Sequence, residues 1–283
     1  MSIFISMYKE KNMALPLVPP NEGGTYIITG ANTGLDFECP QNLVRLSAGR
    51  VKLAVRSIDK VAEVEPLDLT SYDSVKGFAK KNASIAVDSY TISEGFETSI
   101  AVNVREKHGL TPHLVVTGSG AALSAKGQLE KVEGNILKGL TYNTMGERTQ
   151  RYFVTKLLQL YAVQELAALK PCSETGVVIS CVNPGFCNTG LSRHARFTKR
   201  IEMNLMQFLV ATTADQGRRT ILHAATAGKQ SHGKYLSNCE AAEEDPLLSF
   251  VTNEAGMVMQ KRVCDSISRK LNEIQPRCFQ EDR

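Results

Sequence analysis

A tyrosine and a lysine four residues apart, in "YFVTK" from Tyr152 to Lys156, can share acid–base work. On a helix this spacing puts the phenol and the ammonium on one face. The cation favours the phenolate, so the tyrosine can give and take a proton nearer neutral pH. The plain structural alternative is a surface lysine beside a half-buried tyrosine. A second pattern, "TGANTGLD" from Thr29 to Asp36, follows the apolar run "TYII" and precedes a helical stretch. Glycines at 30 and 34 let a backbone turn tightly and approach a pyrophosphate, whose charge then lies at a helix N-terminus. Its alternative is an ordinary strand-to-helix loop. Arg56, just past the next apolar run in "LAVRS", is of the type and place to hold the 2′-phosphate of NADP. Asp68 ends the third run, where the adenine end of a cofactor would rest. Each of these two has the alternative of a solvated loop charge.

Apolar runs alternate with longer amphipathic stretches, as in βαβ units that build a parallel sheet. Strands are expected at 25–29, 51–55, 64–69, 113–118, 176–183 and 234–237. Helices are expected at 34–47, 71–81, 147–169, 213–227 and 252–273, with Pro40 working against the first. "TADQ", Thr213 to Gln216, has the spacing of a capping box. The 283 residues suffice for one α/β domain, here 24–275, with an N-terminal extension at 1–23 and a tail at 276–283. A balance of 33 Lys+Arg against 29 Asp+Glu, with no basic block, argues against nucleic acid as a partner. The seven cysteines form no CxxC pair, which argues against a zinc site or a disulfide framework and for a reducing compartment. No apolar run reaches the roughly 18 residues that span a bilayer. Lys9, Glu10 and Lys11 interrupt the apolar start, unlike a cleaved signal peptide. A cytoplasmic location and no metal or membrane partner are the resulting expectations.

Taken together and in this order, the motifs resemble the short-chain dehydrogenases/reductases, particularly their fungal branch associated with secondary metabolism, from about residue 24 to 275. The matching positions are Gly30, Asn32, Gly34 and Leu35 in the cofactor turn, then Arg56 and Asp68. Asn82 follows in "NAS", which stands for the family's Asn-Ala-Gly, then Asn103 in "VNV", Ser119 in "VVTGSG" and the Tyr152/Lys156 pair. "NPGFCNTG" (183–190) is similar to the family's Pro-Gly segment, in which Thr189 would touch the nicotinamide amide. The resemblance implies a Rossmann-like doubly wound parallel sheet in one domain. It also implies NADP(H) as cofactor and a ketone or alcohol of a small metabolite as substrate. Tyr152 would exchange the proton with the substrate oxygen, and Ser119 would hydrogen-bond that oxygen as charge develops. Lys156 would lower the tyrosine's pKa and hold the nicotinamide ribose, with Asn103 holding a water beside it. Ser119 has the alternative of a turn serine. Residues 190–212 fall where the family places a substrate lid, and their alternative is packing on the core or on a second subunit.

The chain departs from the family in two ways. Asp36 stands where the family's last turn glycine packs helix on strand, adding bulk and a negative charge near the pyrophosphate. Three elements are also missing from the pattern: the helix before the third strand, the central strand that delivers "NAS", and the helix after Asn103. A parallel crossover needs a dozen or more residues. Losing a central strand exposes apolar surface, a large term against typical stabilities of roughly 5–15 kcal/mol. One reading is therefore a working reductase that recruits remaining segments such as "SIAVDS" (84–89). The other is a catalytically impaired remnant that binds a partner or nothing. The family's dimers and tetramers make a homo-oligomer an open expectation, although one of the two helices that build them is the one missing after Asn103.

Overall fold

The computed structural model describes residues 7–8, 10–16, 24–29, 35–45, 48, 50–55, 64–83, 92–93, 96–97, 111–142, 148–187, 210–243 and 245–276. Strands β1 (Thr25–Thr29), β2 (Arg50–Val55) and β3 (Val64–Pro66) form a parallel sheet in the order β1-β2-β3. Helix α1 (Leu35–Arg45) covers one face of it, with Cys39 and Leu43 buried against Tyr26, Ile28 and Val51. Pro40 lies inside α1 rather than before it. Its ring nitrogen cannot donate to the carbonyl of Asp36 one turn earlier, so the helix lacks that bond. Helix α2 (Tyr72–Ala83) follows β3. Strands β4 (Ile92–Ser93) and β5 (Phe96–Glu97) make a small antiparallel pair.

The second sheet carries β6 (His113–Thr117), β7 (Val178–Asn183), β8 (Tyr235–Ser237) and β9 (Glu240–Ala241) in the order β6-β7-β8-β9, parallel except for the last pair. All six residues of β7 are buried, as a strand covered on both faces must be. On one face Ile179 and Cys181 meet helix α4 (Arg148–Leu169), helix α6 (Glu254–Ile274) and the segment around helix α3 (Ile136–Tyr142), where Leu129, Ile136, Leu157, Leu160 and Val263 make the main core. On the other, Val182 and Leu236 meet Ala224 of helix α5 (Ala214–Ala224). The expected capping box is present: Gln216 N donates to Thr213 Oγ1 at 3.1 Å, and Thr213 N donates to Gln216 Oε1 at 2.9 Å. Leu222 of α5 also packs on Cys39 and Leu43 of α1, and this contact joins the two sheets.

Among the described residues no strand is hydrogen-bonded to the free side of β1 or of β6. Ile27 in the middle of β1 is 48% exposed and Leu114 of β6 is 45% exposed. In a continuous doubly wound sheet both would be covered. β2 and β3 run parallel although only residues 56–63 connect them, a link too short for a helical crossover. The third strand is also shorter than the expected 64–69, because Asp68 and Thr70 form a turn. Asn82 of "NAS" lies in the last turn of α2 rather than past a strand.

Candidate active site

The carboxyl end of β6 carries Ser119 and receives the Lys156 ammonium. Gly118, directly after β6, donates its N–H to the Val182 carbonyl at 2.8 Å. A methyl group there would lie 2.6 Å from Cys181 Sγ, so only glycine lets the two strand ends approach this closely. Ser119 comes next, in extended conformation, and caps the 3-10 turn Gly120–Ala125 by accepting from Ala121 N at 3.2 Å. The next amide, Gly120 N, donates to Asn183 Oδ1 at 3.0 Å. Asn183 Oδ1 also accepts from Gly185 N at 3.1 Å, while its Nδ2 donates to Ser237 Oγ at 3.1 Å. One buried amide thus locks the serine loop, the Pro-Gly segment and β8 in register. Asn183 opens the "NPGFCNTG" motif, but spacing assigns it no role, since a tie among three strand ends leaves no mark there.

Tyr152 and Lys156 lie on one face near the start of α4, as their spacing requires. Tyr152 is 40% exposed, with its ring at an edge-on angle to Phe153. Lys156 is more enclosed and reaches across to β6: its Nζ donates to the Thr117 carbonyl at 2.9 Å and to Gln159 Oε1 at 3.1 Å. The ammonium therefore sits two residues from Ser119. Its charge also reaches Cys181, whose thiol is pushed up to about 12 by burial, with Lys156 opposing the rise. Tyr235 of β8 is buried with no hydrogen-bond partner on its hydroxyl among the described residues, and burial holds its pKa well above the usual tyrosine value. Nearby Cys181, Glu10, Asp245 and Tyr152 add to that rise.

Past β7, Gly185 turns at φ +80° and Cys187 donates to the Pro184 carbonyl at 3.1 Å. Burial raises the Cys187 thiol despite its contact with Thr212. Asp68 is drawn into its own turn, where Oδ1 accepts from Thr70 N at 2.9 Å and Thr70 Oγ1 at 2.7 Å. Gly30, Asn32, Gly34, Arg56, Asn103 and Thr189 lie outside the described residues, as do 84–89 and most of 190–212. The side chains of Leu35 and Asn82 lie outside them as well. Among the described residues no group of His, Cys, Asp and Glu could hold a metal ion, and no helix is long and apolar enough to cross a membrane.

No family model matches the chain. It is 33% identical to the short chain dehydrogenase/reductase dmxR8 of Cryptosporiopsis sp., over 321 aligned positions covering 95% of this chain and 97% of that protein. Since 95% of 283 residues is about 269, about 52 of those positions have no counterpart here. Among solved structures, a putative NAD(P)-dependent gluconate 5-dehydrogenase of Beutenbergia cavernae aligns at TM-score 0.53 and 14% identity, covering 77% of this chain and 96% of that one. The 3-alpha-hydroxysteroid dehydrogenase of Pseudomonas sp. B-0831 aligns at 0.52 and 15%, covering 76% and 94%. Their likeness lies in the Rossmann-type fold.

Proposed function

We propose that this chain, which belongs to the short-chain dehydrogenase/reductase family, is an NADP(H)-dependent enzyme that interconverts a ketone and an alcohol on a small, mostly apolar metabolite. Membership supports an oxidoreductase role with a nicotinamide cofactor. The choice of NADP(H) rests on Arg56, and the place in fungal secondary metabolism rests on resemblance to that branch. One of the two aligned dehydrogenase structures holds NADP and the other NADH, so neither decides the choice. A soluble, cytoplasmic setting accords with six free cysteines among the described residues.

The observation that carries the proposal is the bond from Lys156 Nζ to the Thr117 carbonyl, which holds α4 against the end of β6 beside Ser119. The residues present suit the nicotinamide end of a cofactor: an ammonium, a hydroxyl and a left-handed glycine stand at the carboxyl ends of parallel strands, where such folds bind their ligands, and the exposed Tyr152 precedes Lys156 by one turn on α4. When bound, the nicotinamide supplies or accepts the hydride. Tyr152 Oη holds the proton that passes to the substrate oxygen in reduction and returns in oxidation. Lys156 stabilises the phenolate left behind. Ser119 Oγ donates to the substrate oxygen as charge develops on it, which requires its hydroxyl hydrogen to point away from the Ala121 amide that it caps. Asn183 is a positioning residue for that loop. Gly30, Asn32, Gly34, Leu35, Arg56, Asp68, Asn82 and Thr189 would hold the rest of the cofactor, and Asn103 a water beside Lys156.

The test is turnover of a carbonyl panel with NADPH by the unaltered chain and by Tyr152→Phe. Proton transfer of this kind contributes about 10²–10⁴-fold, so the variant should lose at least that much while its thermal transition holds. Equal turnover would remove the assigned mechanism. The lack, among the described residues, of a strand joining the two sheets, the exposed Ile27 and Leu114, and about 52 unmatched positions favour a second reading, a folded remnant without turnover. It would show no activity in either protein with any substrate on the panel.

A further inference from the structure

We propose that the N-terminal segment 10–16 is a strap latched over the carboxyl ends of β7 and β8 by Glu10, and that it controls access to the Pro184–Gly185 segment. This rests on the functional reading only in assigning that segment to the nicotinamide. The strap lies along α5: Gln216 Nε2 donates to the carbonyls of Lys11 and Met13, both at 3.2 Å, and Arg219 Nη1 donates to the Leu15 carbonyl at 2.8 Å. Leu15 is buried at the end of the strap. Glu10 closes a helical turn and points inward, with its carboxyl hydrogen-bonded to the Asn238 side chain. A methyl group on Gly185 would lie 3.6 Å from Glu10 Oε2, so the carboxyl rests directly on the turn that follows β7.

From the loop after β9 Asp245 faces this carboxyl, from β8 Tyr235, and from the end of β7 Cys187, all anionic or neutral. On α5 the charges satisfy one another, Asp215 pairing with Arg218 and, at 2.6 Å, with Arg219. Burial, then Asp245, raises the Glu10 pKa from 4.5 to about 7, with Asn238 opposing the rise. The neutral acid is therefore the form that docks. Because the docked pKa is the higher one, docking is fully favoured below about 4.5 and is lost progressively as pH rises to about 7. The same two values give a strap held roughly 30-fold less firmly at pH 8 than at pH 5.5.

Hydrogen exchange of the 10–16 peptide in the full chain, read by mass spectrometry and corrected for base catalysis, tests the latch. The opening constant should rise roughly 30-fold from pH 5.5 to 8 and stay flat in Glu10→Gln. A flat profile in the unaltered chain, or an unprotected peptide at pH 5.5, overturns the proposal. Saturating NADPH should open the strap further; bound NADPH that leaves exchange unchanged refutes control of access. No NADPH binding at pH 8 by either protein refutes access control together with the functional reading, and the pH arm still decides the latch.

Discussion

Gly118→Ala is expected to damage the site through packing alone. The added methyl would meet Cys181 Sγ at 2.6 Å, 0.8 Å inside the 3.4 Å at which contact becomes ordinary. Cys181 has little room to move: it is fully buried on β7, and the Tyr235 ring would itself stand 3.8 Å from the new methyl. Retreat of the β6 end would stretch the 2.8 Å bond from Gly118 N to the Val182 carbonyl and carry Ser119 with it. Overpacking of this size costs about 1–3 kcal/mol. For a large domain each kcal/mol shifts Tm by about 2–4 °C. Calorimetry should therefore show a fall of roughly 4–8 °C for a 2 kcal/mol loss, with reduced turnover from the displaced serine. In the double variant with Cys181→Ala the clash partner is gone, so the two losses should fall short of additivity by about 1–2 kcal/mol. An unchanged Tm for Gly118→Ala, or strict additivity in the cycle, would refute the close approach of β6 and β7.

Other consequences can be checked on the same protein. Leu114→Ala should cost less than about 1.5 kcal/mol because the side chain is already half in water, whereas Leu160→Ala in the main core should cost about 2–5 kcal/mol. Equal costs in urea titrations would mean that the free side of β6 is covered. Pro40→Ala restores the missing donor to Asp36 and should raise Tm, with up to about 3 kcal/mol available; a lower Tm would place Pro40 outside a regular helix. Lys156→Met removes the ammonium from Thr117 and Gln159 and should cut turnover by about 10²-fold or more. Retained turnover would assign the proton chemistry elsewhere.

Much of the frame was legible because its signals are local. "GVVISCVN" is a continuous apolar run, and β7 is buried on both faces. Thr213 and Gln216 carry a capping box in their side chains and form one. Tyr152 and Lys156 needed only helical periodicity to share a face. What escaped the reading depends on distant contacts. Nothing in "LQL" marks Gln159 as a partner of Lys156, and Glu10 between two lysines reads as a solvated charge until α5 holds its segment against Gly185. Helix α3 was not expected either. It is only seven residues long and contains Gly139, and Ile136 N donates to Ser266 Oγ on α6, which helps hold it. The expected replacement for the central strand, "SIAVDS", and the stretch directly after Asn103 fall on residues outside the described ones; among the described residues Ile27 and Leu114 are exposed.

The most direct measurement is a fluorescence titration of the purified chain with NADPH and with NADH at pH 8. If the strand ends still assemble a nicotinamide site and Arg56 holds the 2′-phosphate, NADPH should bind in the micromolar range. NADH should then bind about 10–100-fold more weakly, the worth of one charge-assisted hydrogen bond. Absence of binding by both would contradict the assembled site itself.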